Sequence, residues 1–214
     1  MSPTETKDLM GSPPDPSPAY AAMLAEGPEG SPGDATPARA FRVALRIFTN
    51  ESRLEMDDLA AQLNVTEKFL EGWTGPREKL LADLLSFFRD IAFNQALDET
   101  TELQNLDRVL AAGRSYIGMI VTFEPLRRFF RAESPLALRL LTTRGGEVQS
   151  GVIKQITELL EFEQREHGMK LRAPADVLAY AMTRTIEGFI YNDPLADIEP
   201  DVDQAIVIIE LLLE

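Results

Sequence analysis

Residues 57–81 read DDLAAQLNVTEKFLEGWTGPREKLL, and they contain two short helical patterns and the beginning of a third. Leucines and alanines recur at helical spacing until Asn64 breaks the pattern, and Thr66 can then cap a second helix of about two turns. Gly75 suits the end of that helix, while Pro76 suits the start of the next. The spacing predicts helix, tight turn, helix, a geometry that can place its second helix in the major groove of DNA. A small three-helix packing unit that touches no nucleic acid is the alternative.

The composition excludes several kinds of chemistry. The chain has 214 residues, 44% of them hydrophobic, which is enough for one large domain or two modest ones. The lack of cysteine excludes disulfides, thiolate zinc sites and cysteine nucleophiles, and a single His167 leaves little room for histidine-based metal or triad chemistry. There is also no glycine-rich phosphate loop, nucleophile elbow or HExxH spacing. We therefore expect no enzyme activity, no cofactor and no metal site.

The formal charge of -14 at pH 7 argues against a general nucleic-acid coat, because non-specific affinity comes from cations that neutralise phosphates. It is compatible with a small DNA-reading surface on an acidic body. The N-terminus has no basic region followed by an apolar run, and the apolar run at 205–213 is far shorter than the roughly 20 residues that a bilayer requires. We expect a cytoplasmic protein without a membrane partner.

Residues 1–37 contain 8 of the 14 prolines and carry one lysine, Lys7, against six acidic residues. Such a segment buries too little surface to offset its chain entropy. We expect a disordered N-terminal arm, with room for a short helix at Tyr20–Leu24. An arm that entered the minor groove would carry more arginine or lysine, so we expect no DNA contact from it.

Residues 38–49 read ARAFRVALRIFT and place their large apolar side chains on one helical face. Arg39, Arg42 and Arg46 lie on the other faces and form the densest basic patch near the turn. Two interpretations remain open: these arginines hold DNA phosphates, or they are a solvated helix face.

The remainder of the chain shows helical periodicity with no β pattern and no internal repeat, so the predicted fold class is all-α. Gly113 and Gly118 lie inside one predicted helix, where they indicate close packing or space for another group. The predicted helices cover residues 76–97, 106–123, 126–131, 135–141, 148–167, 175–191 and 201–213.

The last two predicted helices, 175–191 and 201–213, are apolar over much of their circumference. A helix without a polar face must be covered on both sides. For a terminal helix, a second subunit is the natural cover, which predicts a homodimer held by a four-helix bundle. Burial within one chain is the alternative.

With these elements in place, the chain resembles the TetR family of transcriptional regulators. In the predicted head the resemblance rests on residues 57–81, which are similar to the family pattern of an acidic residue, L/I-A, a small turn, V-S/T, an aromatic, then R/K-E-x-L-L. In the body, LALRLLTTRGGEVQ (136–149) and IEGFIYNDPLADIEPDVDQAIVIIELLL (186–213) resemble the C-terminal domain of regulators of the QsdR type. The resemblance covers about residues 38–214.

This resemblance implies a helix-turn-helix DNA-binding domain at 38–83 and a ligand-binding and dimerisation domain at 84–214. It further implies a dimeric repressor that a small, largely apolar effector releases from double-stranded operator DNA. The QsdR-like body suggests a lactone or an acyl-chain signal as that effector, which would connect the protein with quorum sensing.

The chain departs from the family where DNA would be contacted. The family commonly has Thr-Leu-Tyr followed by Arg or His through the recognition helix, and residues 69–72 read FLEG instead. Glu71 would repel phosphates and Gly72 has no side chain. Across 38–83, seven basic residues face eight acidic ones, whereas a DNA reader is usually basic. A regulator fold with weakened or lost DNA recognition, serving to bind a ligand or partner, is therefore the competing hypothesis.

We infer the expected DNA contacts from three features: the basic patch, the second helix of the helix-turn-helix and the family pattern. Glu67 could accept a hydrogen bond from cytosine, and Lys68 or Phe69 could meet guanine or a thymine methyl. The candidate residues are Arg39, Thr66, Glu67, Lys68, Phe69, Trp73 and Lys79.

A ligand pocket in the body would combine apolar side chains with a few polar ones. Polar residues in apolar surroundings are the most informative, because their burial costs free energy unless a partner satisfies them. One of them could bond a lactone or carbonyl oxygen while an acyl chain fills the apolar slot, and Arg144 could equally pair with Glu187. The candidates are Phe88, Tyr116, Met119, Ile120, Phe123, Phe130, Leu141, Arg144, Ile153, Met182, Thr185, Glu187 and Tyr191. Ordinary core packing is the alternative for the apolar ones.

Overall fold

The computed structural model describes residues 14–27, 35–50, 53–192 and 199–214. In these ranges the chain is helical without a strand, which confirms the all-α prediction. The helices are α1 (Pro18–Glu26), α2 (Pro37–Asn50), α3 (Met56–Leu63), α4 (Glu67–Thr74), α5 (Arg77–Asp98), α6 (Asn105–Thr122), α7 (Glu124–Ala132), α8 (Ser134–Thr142), α9 (Glu147–His167), α10 (Ala175–Glu187), which continues into a π-helical turn (Gly188–Asn192), and α11 (Val202–Leu213).

Helices α2, α3 and α4 form the head, and α3 and α4 form the predicted helix-turn-helix. Asn64 ends α3 in the left-handed conformation, with φ 56°, which asparagine tolerates better than most residues. The Thr66 side chain then caps α4 by accepting a hydrogen bond from the Phe69 backbone N–H at 3.3 Å. Leu70 and Thr74 point inward from α4 and are fully buried. Local capping chemistry therefore fixes the turn as the sequence predicts.

Helix α1 lies within the segment expected to be disordered. The Ser17 hydroxyl caps it, and Ala19, Tyr20 and Met23 are buried. The Tyr20 ring stacks on Phe41 of α2 with the ring centroids 4.8 Å apart. The short helix expected at Tyr20–Leu24 is therefore present and extends over Pro18–Glu26, and the expectation of disorder is wrong for these residues because the head covers the apolar side of the helix. Residues 1–13 and 28–34 of the expected arm lie outside the described residues.

Helix α5 connects the head with the body and crosses the predicted domain boundary at residue 83 without interruption. It begins at Arg77, with Pro76 as its N-cap, one residue later than predicted. In the body α5 packs against α6, α8 and α9. A long helix that is buried at both ends can transmit a displacement from the body to the head.

Helices α10 and α11 pack against each other, and they also contact α9 and α6 respectively. Gly113 of α6 lies at the α6–α11 contact, where an added Cβ would come within 3.4 Å of Ile206. One side of α11 is buried in the chain, whereas Val207 and Leu211 on its other side are 52% and 64% exposed. The apolar circumference of α11 is thus only half covered.

No helix in the described part of the chain is both long and apolar enough to cross a membrane.

Candidate DNA-binding surface and effector cavity

The outward face of α4 consists of side chains that make no ion pair among the described residues. Glu67, Lys68, Glu71 and Gly72 are exposed, and Phe69 is 55% exposed. Trp73 is half-buried, and its ring meets that of Phe69 edge-on at 4.7 Å. The predicted recognition residues of α4 therefore share one solvent-facing surface, while Thr66 serves as the helix cap.

The basic patch on α2 is partly occupied by other residues of the chain. Arg42 donates to the Gly27 carbonyl oxygen at 2.9 Å and pairs with Glu26 at 3.0 Å, so the end of α1 holds it. Arg46 is exposed and donates to the Gln62 amide oxygen at 2.8 Å. Arg39 is half-buried in the first turn of α2. Arg42 is therefore not available as a phosphate contact in this arrangement.

Lys79, a predicted DNA contact, lies between the head and the body. Its ammonium pairs with Asp83 at 2.9 Å and with Glu147 of α9 at 2.8 Å. With both carboxylates engaged, Lys79 joins α5 to α9, and its assignment as a DNA contact does not fit this geometry. Burial and the nearby Asp83 raise the pKa of Glu147 to about 7, and Lys79 opposes that shift.

The two residues before Lys79 are also paired with the body. Arg77 donates two parallel hydrogen bonds to Glu133 at 2.9 and 2.6 Å, and its Nε donates to the Leu54 carbonyl oxygen at 2.6 Å. The Arg77 guanidinium holds the pKa of Glu133 below its usual value. Glu78 pairs with Arg139 of α8. The first turn of α5 is thus tied to the α7–α8 junction, to α8 and to α9.

A small cavity lies in the body where α6, α8, α9 and α10 meet. Its volume is about 20 Å³, which accommodates a water molecule but no larger ligand. A ligand with several carbon atoms could enter only if these helices moved apart. The lining residues are Tyr116, Leu141, Val148, Val152, Thr183, Ile186, Glu187, Ile190 and Tyr191.

The polar groups of this cavity are neutral or paired. Glu187 is buried, accepts from Gln149 Nε2 at 2.7 Å and pairs with Arg184 at 2.6 Å, so the arginine bonded to it is Arg184. Burial raises the pKa of Glu187, and it raises the pKa of Tyr116 to about 12. Burial also raises the pKa of Tyr191. Both phenols are therefore protonated donors at neutral pH, and neither is hydrogen-bonded to a described residue.

Of the predicted ligand residues, Tyr116, Leu141, Glu187 and Tyr191 line this cavity. Phe130 stacks on Tyr191 at 5.9 Å just outside it. The other predicted residues lie outside the cavity. Arg144 is exposed in the α8–α9 turn, and the rest are buried or half-buried packing residues: Phe88, Met119, Ile120, Phe123, Ile153, Met182 and Thr185.

Phe88 illustrates why the aromatic candidates were ambiguous. Its ring stacks against Phe48 of the head at 5.8 Å and contacts Phe123 at 4.7 Å. These rings form an aromatic cluster at the junction between the head and the body, where they contribute packing.

Sequence reasoning missed Gln149, the buried amide that holds Glu187 through its Nε2. It also missed the cavity residues Val148, Val152, Thr183, Ile186 and Ile190. The signal available for Gln149 was a polar side chain one helical turn before a valine and an isoleucine of the apolar stripe. The apolar residues carried no signal that distinguishes a cavity wall from core.

Comparisons with known proteins agree with this architecture. A family model described as the tetracyclin repressor-like C-terminal domain matches residues 106–214, which is half of the chain. The solved structure of the R. erythropolis transcriptional repressor QsdR, from the TetR family, is similar with a TM-score of 0.75 and 21% identity. The match covers 82% of this chain and 93% of that one. A search of curated proteins gave no match. The helix-turn-helix head, the helical body and the matching C-terminal domain together show that the chain belongs to the TetR family of transcriptional regulators.

Proposed function

We propose that this protein is a homodimeric, ligand-responsive repressor that a small, largely apolar effector releases from its operator. Residues 38–83 bind DNA through α4, and residues 84–214 bind the effector and the second subunit. The effector enters the cavity between α6, α8, α9 and α10. A lactone or an acyl-chain signal is the favoured class, as the QsdR-like body suggests.

The observation that carries this proposal is that α8 and α9 line the cavity and also carry residues that pair with the first turn of α5. Leu141 of the cavity follows Arg139 by two residues on α8, and Val148 directly follows Glu147 on α9. The cavity must expand to admit an effector. Expansion displaces α8 and α9, and with them the carboxylate and the guanidinium that hold the first turn of α5. A ligand that binds only the expanded state therefore changes the position of the head.

The chemistry of the cavity favours a ligand with a carbonyl group on an apolar chain. Tyr116 and Tyr191 supply phenol donors that no described residue satisfies. A lactone or other carbonyl oxygen can accept from them, and the valine and isoleucine walls accept the chain. An ionised carboxylate suits the cavity less well, because Glu187 is already buried there.

The dimer is supported by the exposed apolar side of α10 and α11. Val177 and Tyr180 of α10 are exposed, as are Val207 and Leu211 of α11. A second copy covers this surface with the same four residues, which creates a four-helix bundle and sets the two α4 helices at a fixed distance. Operator recognition requires that distance to be about 34 Å, one turn of DNA.

A gel-shift series on the promoter region of the protein's own gene tests the proposal at low salt. We expect a specific complex that a long-chain γ-lactone dissociates and the carboxylate with the same chain does not. The double variant Tyr116→Phe with Tyr191→Phe serves as the matched control. It keeps the apolar volume and should bind DNA normally while responding at least about tenfold less to the lactone. Absence of any specific complex, with or without ligand, contradicts the proposal.

The competing function is a ligand- or partner-binding protein that keeps the regulator fold without tight DNA binding. The exposed Glu67 and Glu71 on α4, together with the lack of a side chain at Gly72, favour this competing function. The double variant Glu71→Tyr with Gly72→Arg restores the residues common in the family. If the unaltered protein already binds one palindrome tightly, this second function fails. If only the double variant binds, the second function holds.

A further inference from the structure

A groove opens to solvent where α5, α6 and α9 meet. Its volume of about 380 Å³ lies in the range typical of small-molecule sites. Buried Phe93 and Leu159 and half-buried Leu97 provide apolar surface, and the exposed Phe162 ring extends it. The polar lining residues are Asn94, Arg108, Gln155 and Glu158.

This groove is separate from the effector cavity, since no residue lines both. Phe93 of the groove meets Tyr116 of the cavity edge-on, with the ring centroids 5.8 Å apart. Two aromatic rings therefore form the wall between the two spaces. A ligand in the groove can be present without expansion of the cavity.

Two buried polar atoms of the groove residues lack a hydrogen-bond partner in the described structure: Nε of Arg108 and Oε1 of Gln155. Gln155 donates its Nε2 to Asp90 at 2.7 Å, which fixes the amide with the carbonyl oxygen as its free end. Arg108 bonds Glu163 through Nη1 at 3.0 Å and keeps an unused Nε–H donor. The two residues thus offer one donor and one acceptor, which a ligand can reach when both side chains turn these buried atoms toward the groove.

The charges around the groove are already balanced. Arg108 pairs with the fully buried Glu163, and its guanidinium lies 5.3 Å from the centre of the Phe162 ring. Glu158 pairs with Lys154 at 3.8 Å. A ligand with a net charge would lose hydration without gaining a free counter-charge. The groove therefore favours a neutral ligand.

We propose that this groove is a second small-molecule site, which takes a neutral carboxamide with an apolar substituent. The ligand carbonyl accepts from Arg108 Nε, its N–H donates to Gln155 Oε1, and the substituent lies on Phe93, Leu97 and Phe162. A carboxamide presents the required acceptor and donor side by side. This site is independent of the proposed effector cavity.

Isothermal titration of the full chain with octanamide tests this site. The comparators are N,N-dimethyloctanamide, which lacks the N–H donor, and octanoate, which carries a charge. We expect octanamide to bind at least about tenfold more tightly than either comparator, the effect of one well-made hydrogen bond. Gln155→Leu should abolish the preference for octanamide over the dimethyl amide.

Two variants that narrow the groove test whether octanamide binds there. Leu97→Trp fills it from the floor and Asn94→Trp from the exposed rim, and each should weaken octanamide binding at least about tenfold. Circular dichroism establishes whether each variant is folded. If Leu97→Trp does not fold, Asn94→Trp alone is sufficient to test the site. Val152→Ile, which narrows only the effector cavity, should leave the affinity unchanged.

Three results would overturn the second site: no octanamide binding up to its solubility limit, equal affinity for all three probes, or loss of binding in Val152→Ile rather than in Asn94→Trp. Because these titrations use no DNA, they are distinguishable from a failure of the proposed repressor function, which the gel shift measures.

Discussion

The recognition helix α4 and the first turn of α5 are neighbours in sequence, and both are rich in charge, yet their charges have different surroundings. Glu67, Lys68 and Glu71 of α4 face solvent. In α5, Arg77 binds Glu133, Glu78 pairs with Arg139, and Lys79 pairs with Asp83 and Glu147 of the same chain. Of these two sets, only the α4 charges make no ion pair with a described residue and are available to a partner outside the chain.

This difference separates recognition from coupling. Side chains that make no ion pair among the described residues can change with the operator sequence at little cost to folding. Under the proposed function, the side chains that join α5 to α8 and α9 couple the head to the body, because a shift of either helix would break their ion pairs. The resemblance to the family could not make this distinction, since Arg77 and Glu78 match the family pattern and yet pair with Glu133 and Arg139 in the body.

The comparison first predicts that the buried and exposed sides of α4 contribute differently to the free energy of unfolding. Leu70→Ala removes a fully buried side chain at the centre of the head and should lower the free energy of unfolding by about 3 to 4 kcal/mol. Phe69→Ala, at the neighbouring exposed position, should change it by less than about 0.5 kcal/mol. Urea denaturation measures both. A similar loss for the two variants would show that the exposed face of α4 also supports the fold.

The second prediction concerns the pairs that hold the first turn of α5. Arg77→Ala leaves Glu133 and the Leu54 carbonyl without their donor and should cost about 2 to 3 kcal/mol. The adjacent pair of Glu78 with Arg139 is more than half exposed, so Glu78→Ala should cost less than about 0.5 kcal/mol. A double-mutant cycle with Glu133→Ala isolates the pair. A coupling energy near zero would remove Arg77 from the head–body connection.

The fold was predictable where its determinants are local. Asn64, Thr66 and Gly75 end or cap their helices through their own backbone preferences and hydrogen bonds, and these signals are visible in the sequence. Helix α1 was anticipated only as a short helix at Tyr20–Leu24, and its packing on the head was missed because that packing is tertiary. The burial of Tyr20 depends on Phe41, a ring 21 residues later, and no local pattern in a proline-rich segment indicates that contact.

The sites were predictable only in part for the same reason. Glu187 and Tyr191 stood out as polar side chains in apolar surroundings, and both line the cavity. Lys79 was assigned to DNA from the family resemblance, and its pairing with Glu147 could not be foreseen because that residue is 68 positions away in the chain. Sequence periodicity gives the apolar face of a helix but not which of its residues surround a space.

The third prediction uses the raised pKa of Glu147. Because burial, reinforced by Asp83, raises this pKa to about 7, the folded state holds the proton more tightly than the unfolded state does. The associated stability is complete at low pH and is lost as the pH rises through about 7. Glu147→Gln mimics the protonated form, so its stability relative to the parent should rise by about 2 kcal/mol between pH 5 and pH 8.

Denaturation of both proteins across this pH range checks the prediction. Glu161→Gln changes an exposed carboxyl on the same helix and should retain the pH dependence of the parent. A difference between Glu147→Gln and the parent that does not vary with pH would mean that Lys79 keeps Glu147 ionised throughout, and the connection of α5 to α9 would then be insensitive to pH.

The last prediction concerns Gly72 on the exposed face of α4, where the expected change in stability is smaller than at Leu70, Arg77 or Glu147. An added Cβ at this position meets no atom within 4 Å, so a side chain can be accommodated. Gly72→Arg and Gly72→Gln should each stabilise the protein by about 1 kcal/mol, because glycine is unfavourable inside a helix. Only the arginine should also increase DNA affinity and steepen the salt dependence of binding by about one unit, the signature of one new phosphate contact. Fluorescence anisotropy with labelled promoter DNA at several salt concentrations separates the two variants. If arginine and glutamine give the same salt dependence, residue 72 does not approach a phosphate, and the exposed charges of α4 serve a partner other than DNA.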